Sequence, residues 1–276
     1  MRSTQFIQSD DPIVTDLISS TIELVAEAGG WIAPSTTFVC INGQLHVESH
    51  EPDASPLLHI PKAAFVRVDD VQWGASSTQL EILCVPDHFG DIETELLYIQ
   101  TALHNQCQKL PWMTRNHPWL ADDVPDEVVD AVRQILPSFR EPQMTATDAL
   151  WANRCFKISL DEGQEPQRVL IPLVDLLNHH KSGATGLWAG DAFNVNSNHA
   201  FDTNECALNY GLNRGPLEMA AVYGFVDTST FPSEAVDMKA PLQMRLQQII
   251  EVSEKSPASP ACLILAQSAN LELLSL

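Results

Sequence analysis

Arg168–His180, RVLIPLVDLLNHH, and Glu205–Asp227, ECALNYGLNRGPLEMAAVYGFVD, decide how this chain is read. The first is almost continuously apolar from Val169 to Leu177, broken only by Asp175, and turns abruptly polar at Asn178, His179 and His180. Such a run is buried, and polar groups set against it must be hydrogen-bonded. On a helix, Asp175 and His179 would share a face and could hold a metal. That pair lacks the third and fourth ligands that define a site, so a helix end tied down by Asn and His is the stronger reading. The second stretch holds two of the chain's three tyrosines, each followed by glycine: Tyr210–Gly211 and Tyr223–Gly224. Glu205–Tyr210 reads as a short strand and Leu217–Phe225 as a helix followed by a turn. A strand, a turn and a returning helix can bring both phenols to one place. The plainer alternative is two core aromatics with satisfied hydroxyls.

Working outward, Asp16–Ala28 has the apolar stripe of an amphipathic helix, stopped by Gly29–Gly30. Thr37–Val47 and Leu57–Val68 read as strands, and Pro61 confines the second to an edge or a strand end. ETELLYIQTALHNQ within 91–106 has helical spacing. A loop rich in Pro and Trp (LPWMTRNHPWLADDVP) follows it, and Asp126–Ile135 forms a second helix. Thr145 or Thr147 caps a third. Pro241–Glu254 is a further amphipathic helix, and a short apolar helix ends the sequence.

The 276 residues carry a formal charge of −21, with 45 % apolar and 18 % charged residues, which excludes wholesale disorder. Basic residues are too sparse for a nucleic-acid interface: between Glu51 and Gln100, only Lys62 and Arg67 stand against nine carboxylates. The acidic balance gives solubility and attracts Lys- or Arg-rich protein segments. No apolar run reaches the roughly 18 residues of a membrane span. The N-terminal MRSTQFIQSDDPIV lacks the apolar centre of a leader. A soluble, cytoplasmic protein with no membrane partner is expected. Six scattered cysteines without a CxxC pair read as reduced thiols.

The motifs resemble a known family. Ile171–His179 is similar to the "(I)PLxDLxNH" segment, Thr203–Gly211 to the "GEExxxxYG" strand, and Gly215–Phe225 to the "N…L…YGF" segment of SET-domain methyltransferases. More narrowly, the sequence resembles the Rubisco large-subunit lysine methyltransferase-like branch, which includes the actin-histidine methyltransferase. Ala146–Phe156, ATDALWANRCF, resembles the helix ending in "SRxF", with Arg154 as its arginine, and Leu57–Val66 resembles "LLxIPxxLxV". The resemblance covers roughly residues 15 to 245.

It implies an α+β fold: a SET β-fold of short strands with a helical inserted subdomain and a short helical tail. It divides the chain into a first SET part at 15–74, an inserted subdomain at 75–150, a C-terminal SET core at 151–238 and a truncated helical region at 239–276. It implies S-adenosylmethionine as cofactor and a protein substrate with a lysine, or a histidine, as acceptor. Tyr210 would be the catalytic tyrosine, Tyr223 the second wall of an acceptor channel, and Asp175 a group on the substrate side. Asn178 and His179 would hold the amino-acid end of the cofactor, and Arg154 its carboxylate. Asn42, Gly43, Gln44 and Leu45 would approach its adenosine.

The sequence departs from the family's pattern in several places. Both glycines of the "GxGL" turn are replaced at 42–45, His50–Ser55 differs from "DIxxGE", and only Glu205 remains of "GEE". The asparagine before "YGF" falls on Gly215 or Pro216, with Asn213 out of register. The alternative left open is a SET-derived module that binds a basic peptide without catalysis.

Overall fold

A computed structural model describes residues 6–51, 55–76, 78–107, 117–119, 121–137, 139–140, 145–161, 163–198, 203–210, 215–226, 239–256 and 258–275. The expectations that touch 108–116 and Asn213 lie outside them. In chain order the strands are β1 (Ile7–Ser9), β2 (Trp31–Ile32), β3 (Thr36–Ile41), β4 (Gln44–Ser49), β5 (Leu58–Pro61), β6 (Val66–Arg67), β7 (Gln72–Trp73) and β8 (Ile82–Cys84). They continue with β9 (Cys155–Ile158), β10 (Gln167–Leu170), β11 (Asn178–Ala184), β12 (Leu187–Ala189), β13 (Ala192–Val195) and β14 (Glu205–Leu208). The helices are α1 (Pro12–Glu27), α2 (Asp91–Gln106), α3 (Asp126–Arg133), α4 (Ala146–Asn153), α5 (Pro216–Tyr223), α6 (Lys239–Ser253) and α7 (Pro260–Ser275). The fold is α+β, its strands short and gathered in small sheets.

The chain divides into two compact units: residues 1–110 with 145–209, and 111–144 with 210–276. The first unit holds the sheets. One runs β1-β3-β4-β14-β11, another β12-β13-β5-β2, a third β6-β10-β9, and β7 pairs with β8. α1 begins four residues earlier than its apolar stripe announces, because Asp11 caps it through the Ile13 N–H at 2.8 Å and Pro12 fits the first turn. The expected strand at 37–47 is a hairpin, since Asn42 (φ 53°) and Gly43 (φ 74°) form a two-residue turn between β3 and β4. The expected strand at 57–68 ends at Pro61, breaks into a 3-10 turn at Lys62–Ala64 and resumes as β6. Thr145 caps α4 in a full capping box with Asp148.

α2 packs on α1, and its buried face includes Glu93, Gln100 and His104. Glu93 holds Arg67 through both guanidinium and backbone N–H groups, and the Gln100 amide donates to Thr21 Oγ1 at 2.9 Å. His104 meets Asp175.

The second unit is helical. α6 packs on α7, α5 on α7 and α3 on α6. Val128, Val132, Phe139, Leu217, Leu246 and Leu265 stand in its core, all at most 1 % exposed. The last helix spans 16 residues and so is longer than the short one expected.

Candidate functional site

The polar corner forms where the apolar run gives out, and its first member points inward. Val174–Leu176 is a single 3-10 turn, entered through Leu173 at φ 69°. A left-handed backbone at a buried leucine costs about 1–3 kcal/mol and persists only where packing imposes it. This turn breaks the helical spacing that would put Asp175 and His179 on one face. The Asp175 side chain is fully buried, with Oδ2 2.8 Å from His104 Nε2, itself 1 % exposed. The approach is not linear enough for a hydrogen bond, so the interaction is a close electrostatic contact. Arg154, half-buried beyond the end of α4, donates from Nη1 to the Asp175 carbonyl at 3.0 Å. Burial first, and the Asp175 carboxylate second, push the Cys155 thiol well above its ordinary range. Asp175 is thus buried against His104 beneath the corner, its backbone carbonyl held by Arg154.

Asn178 and His179 lead into β11, which pairs parallel with β14 so that Asn178 lies opposite Ala207 and His179 opposite Leu208. The Asn178 amide donates to Glu205 Oε1 at 2.8 Å. Glu205 thus fixes the orientation of the asparagine. On its other side β14 runs antiparallel to β4, from Glu205 opposite Glu48 toward the hairpin tip. The sheet therefore brings two predicted groups to either side of β14: Asn178 and His179 on β11, and the 42–45 turn ahead of β4. At that tip Leu45 is buried and Gly43 half-buried, whereas Asn42 and Gln44 are exposed and the Asn42 N–H donates to Asp10. The chain passes from β14 through Asn209 directly into Tyr210.

In the helical unit, the Tyr210 and Tyr223 rings lie 5.1 Å apart at 42°, and Phe225 lies 6.2 Å from Tyr223. Two of the chain's three tyrosines, 13 residues apart in sequence, form one aromatic wall. Gly224, at φ 76°, closes α5 behind Tyr223.

A separate cleft of about 650 Å³ in the first unit is lined by Lys62, Phe65, Arg67, Glu93 and Asp161 among others. None of the predicted site residues lines it, and its cations are neutralised, Lys62 by Asp161 and Arg67 by Glu93. Sequence reasoning missed His104 and the use made of Glu205. The signal for His104 was present, because Glu93, Leu96, Leu97, Gln100, Leu103 and His104 form one helical stripe. Polar residues on a core-facing stripe demand buried partners.

No family model matches this sequence. A curated relative, "SET domain-containing protein 8" of Schizosaccharomyces pombe, is 34 % identical over 87 residues, or 31 % of this chain. The similarity is to SET-domain proteins. The matched stretch spans only 19 % of that relative. Two solved structures are similar to the whole chain at 13 % identity. They are the SET domain of LSMT bound to lysine and AdoHcy (TM-score 0.46) and Rubisco LSMT bound to AdoMet (TM-score 0.45). Each superposition covers 96 % of this chain and 90 % of the other.

Proposed function

We propose that this chain is a SET-domain protein methyltransferase that uses S-adenosylmethionine and acts on a lysine side chain. The observation that carries the reading is the ring pair of Tyr210 and Tyr223 at 5.1 Å. It is supported by the pairing of β11, which begins at Asn178 and His179, with β14, the strand from which the chain continues to Tyr210. The order of the three motifs and the short match to a SET-domain protein point the same way.

The residues fit a polar, carboxylate-bearing ligand. Arg154 offers a half-buried guanidinium, and the Asn42–Gly43 tip offers a tight turn with little side-chain bulk. When bound, the sulfonium supplies an electrophilic methyl group. The chain's residues do the rest. Asn178, His179 and Arg154 hold the amino-acid end, while Asn42, Gly43, Gln44 and Leu45 approach the adenosine. A free lysine, with a pKa near 10.4, is protonated at pH 7 and not nucleophilic. A narrow aromatic wall desolvates the ammonium and favours the amine. Tyr223 supplies that wall, and the Tyr210 hydroxyl aligns the transferring methyl through weak CH···O contact. The chain supplies orientation, with reacting atoms to be held about 3–3.5 Å apart.

Calorimetric titration with S-adenosylmethionine should show binding, and radiolabelled methyl should pass to basic protein acceptors. Tyr210→Phe should retain cofactor binding and lose transfer, and unchanged turnover in that variant would refute the role of Tyr210. The replaced glycines at 42–45 favour the alternative of a peptide-binding module. That alternative predicts no heat from the cofactor and binding of basic peptides alone.

A further inference from the structure

The turn that carries Tyr223 is backed by a histidine from more than a hundred residues earlier in the chain. His117 is 1 % exposed, and its Nδ1 accepts the Trp119 N–H at 3.1 Å. Trp119 is itself held edge-on against Phe139 at 5.4 Å. The imidazole occupies the space that a side chain at Gly224 would need. A Cβ there would fall 2.2 Å from His117 Cδ2 and 2.9 Å from Nε2. Glycine is thus required at 224 twice over, for its left-handed φ of 76° and for the histidine pressed against it. Burial, its largest influence, lowers the pKa of the ring to about 4, against a smaller opposing effect of the nearby Val222 backbone. The ring is therefore neutral at pH 7. With Nδ1 as acceptor, the proton sits on Nε2.

We propose that His117 is a positioning residue for the aromatic wall: its ring seats the turn at Val222–Gly224 and sets the angle at which Tyr223 meets Tyr210. The functional consequence rests on the methyl-transfer reading, but the geometry does not.

The chain's three tyrosines make the test direct. Incorporating 3-fluorotyrosine gives three fluorine resonances, assigned by single Tyr→Phe variants. His117→Ala should move the Tyr223 and Tyr210 signals and leave that of Tyr98, exposed on α2, in place as an internal control for folding. His117→Gln keeps a donor near the outer ring nitrogen and should restore much of the wild-type spectrum. Turnover should follow the same order. It should fall roughly 10- to 100-fold in His117→Ala, the scale of loss expected from misplaced reacting groups, and recover in part in His117→Gln. Cofactor affinity should be unchanged in both.

Tyr223 and Tyr210 signals that stay put in a folded His117→Ala chain overturn the proposal, as does a glutamine variant no better than alanine. Should the alanine variant fail to fold, the wild type decides by the nuclear Overhauser contact between the His117 ring and the Gly224 α-protons, whose absence overturns it equally. A wild type that binds no S-adenosylmethionine removes the methyl-transfer reading and leaves the tyrosine shifts standing. Unmoved tyrosines in an active enzyme remove the role of His117 alone.

Discussion

Replacing the buried His104–Asp175 pair residue by residue tests whether Asp175 is a buttress. The two side chains are 1 % and 0 % exposed and 2.8 Å apart, so neither can turn to water when its partner is lost. Removing one member of such a pair costs about 3–5 kcal/mol, whereas replacing both with apolar groups is often neutral. The imperfect alignment places this pair at the low end, near 3 kcal/mol. Asp175→Leu and His104→Leu should therefore each lower the urea midpoint by about 1 M, taking a slope of roughly 3 kcal/mol per M. The double variant should recover at least about 2 kcal/mol of the summed losses. Tryptophan fluorescence and circular dichroism across a urea series measure all four corners of the cycle. Losses that add to within about 0.5 kcal/mol would falsify the coupling. A folded double variant that still binds cofactor but no longer transfers methyl would return Asp175 to the acceptor side.

Other expectations are smaller. Thr145→Ala breaks both bonds of the capping box on α4 and should cost about 1 kcal/mol in thermal unfolding. Gly43→Ala puts a Cβ on a residue at φ 74° in the β3–β4 turn and should cost about 1–2 kcal/mol, while Asn42→Gly should be tolerated. Glu272 accepts the Leu217 N–H at 2.9 Å, and burial raises its pKa above the ordinary glutamate value. The folded state thus holds that proton more tightly than the unfolded chain, and stability is lost as pH rises from the unfolded value through the folded one. Glu272→Gln, which keeps an acceptor, should raise the melting temperature at pH 7 and give no gain at pH 4.

The parts of the fold legible in the sequence are those where one local signal dominates. The stripe of α2, the capping threonine of α4 and the glycine stops after α1 and α5 are of that kind. The strands were harder to read because most of them span two to four residues, too short for an alternating pattern to register. At 42–43 the signal was present and passed over: Asn-Gly between two β-prone stretches announces a hairpin, yet the strand expectation runs across it. At Asp175 local spacing pointed to a helix, and only the long-range packing that holds Leu173 at φ 69° explains why none forms. The strand, turn and helix around the two tyrosines permit their pairing without requiring it. Their support by His117 was not legible, because nothing local links that loop to Gly224.

The VDLLNHH segment divides its polar residues between inside and outside, and this division bears on the function. Asp175 is spent on His104 beneath the corner, and the Asn178 amide on Glu205 across it. The same turn's carbonyl engages one nitrogen of Arg154. A corner whose side chains brace one another in this way offers a ligand its backbone groups and a fixed shape more than loose side-chain donors. That suits recognition of the polar end of a small molecule at low entropic cost. At the 42–45 turn Asn42 and Gly43 both have a positive φ, so the left-handed backbone path is made with a single glycine. Gln44, which begins β4, is the position where that compensation is least complete. Gln44→Gly is therefore the substitution that should tighten S-adenosylmethionine binding in the titration; an unchanged affinity would show that the turn does not touch the cofactor, and a weaker one would refute the compensation argument.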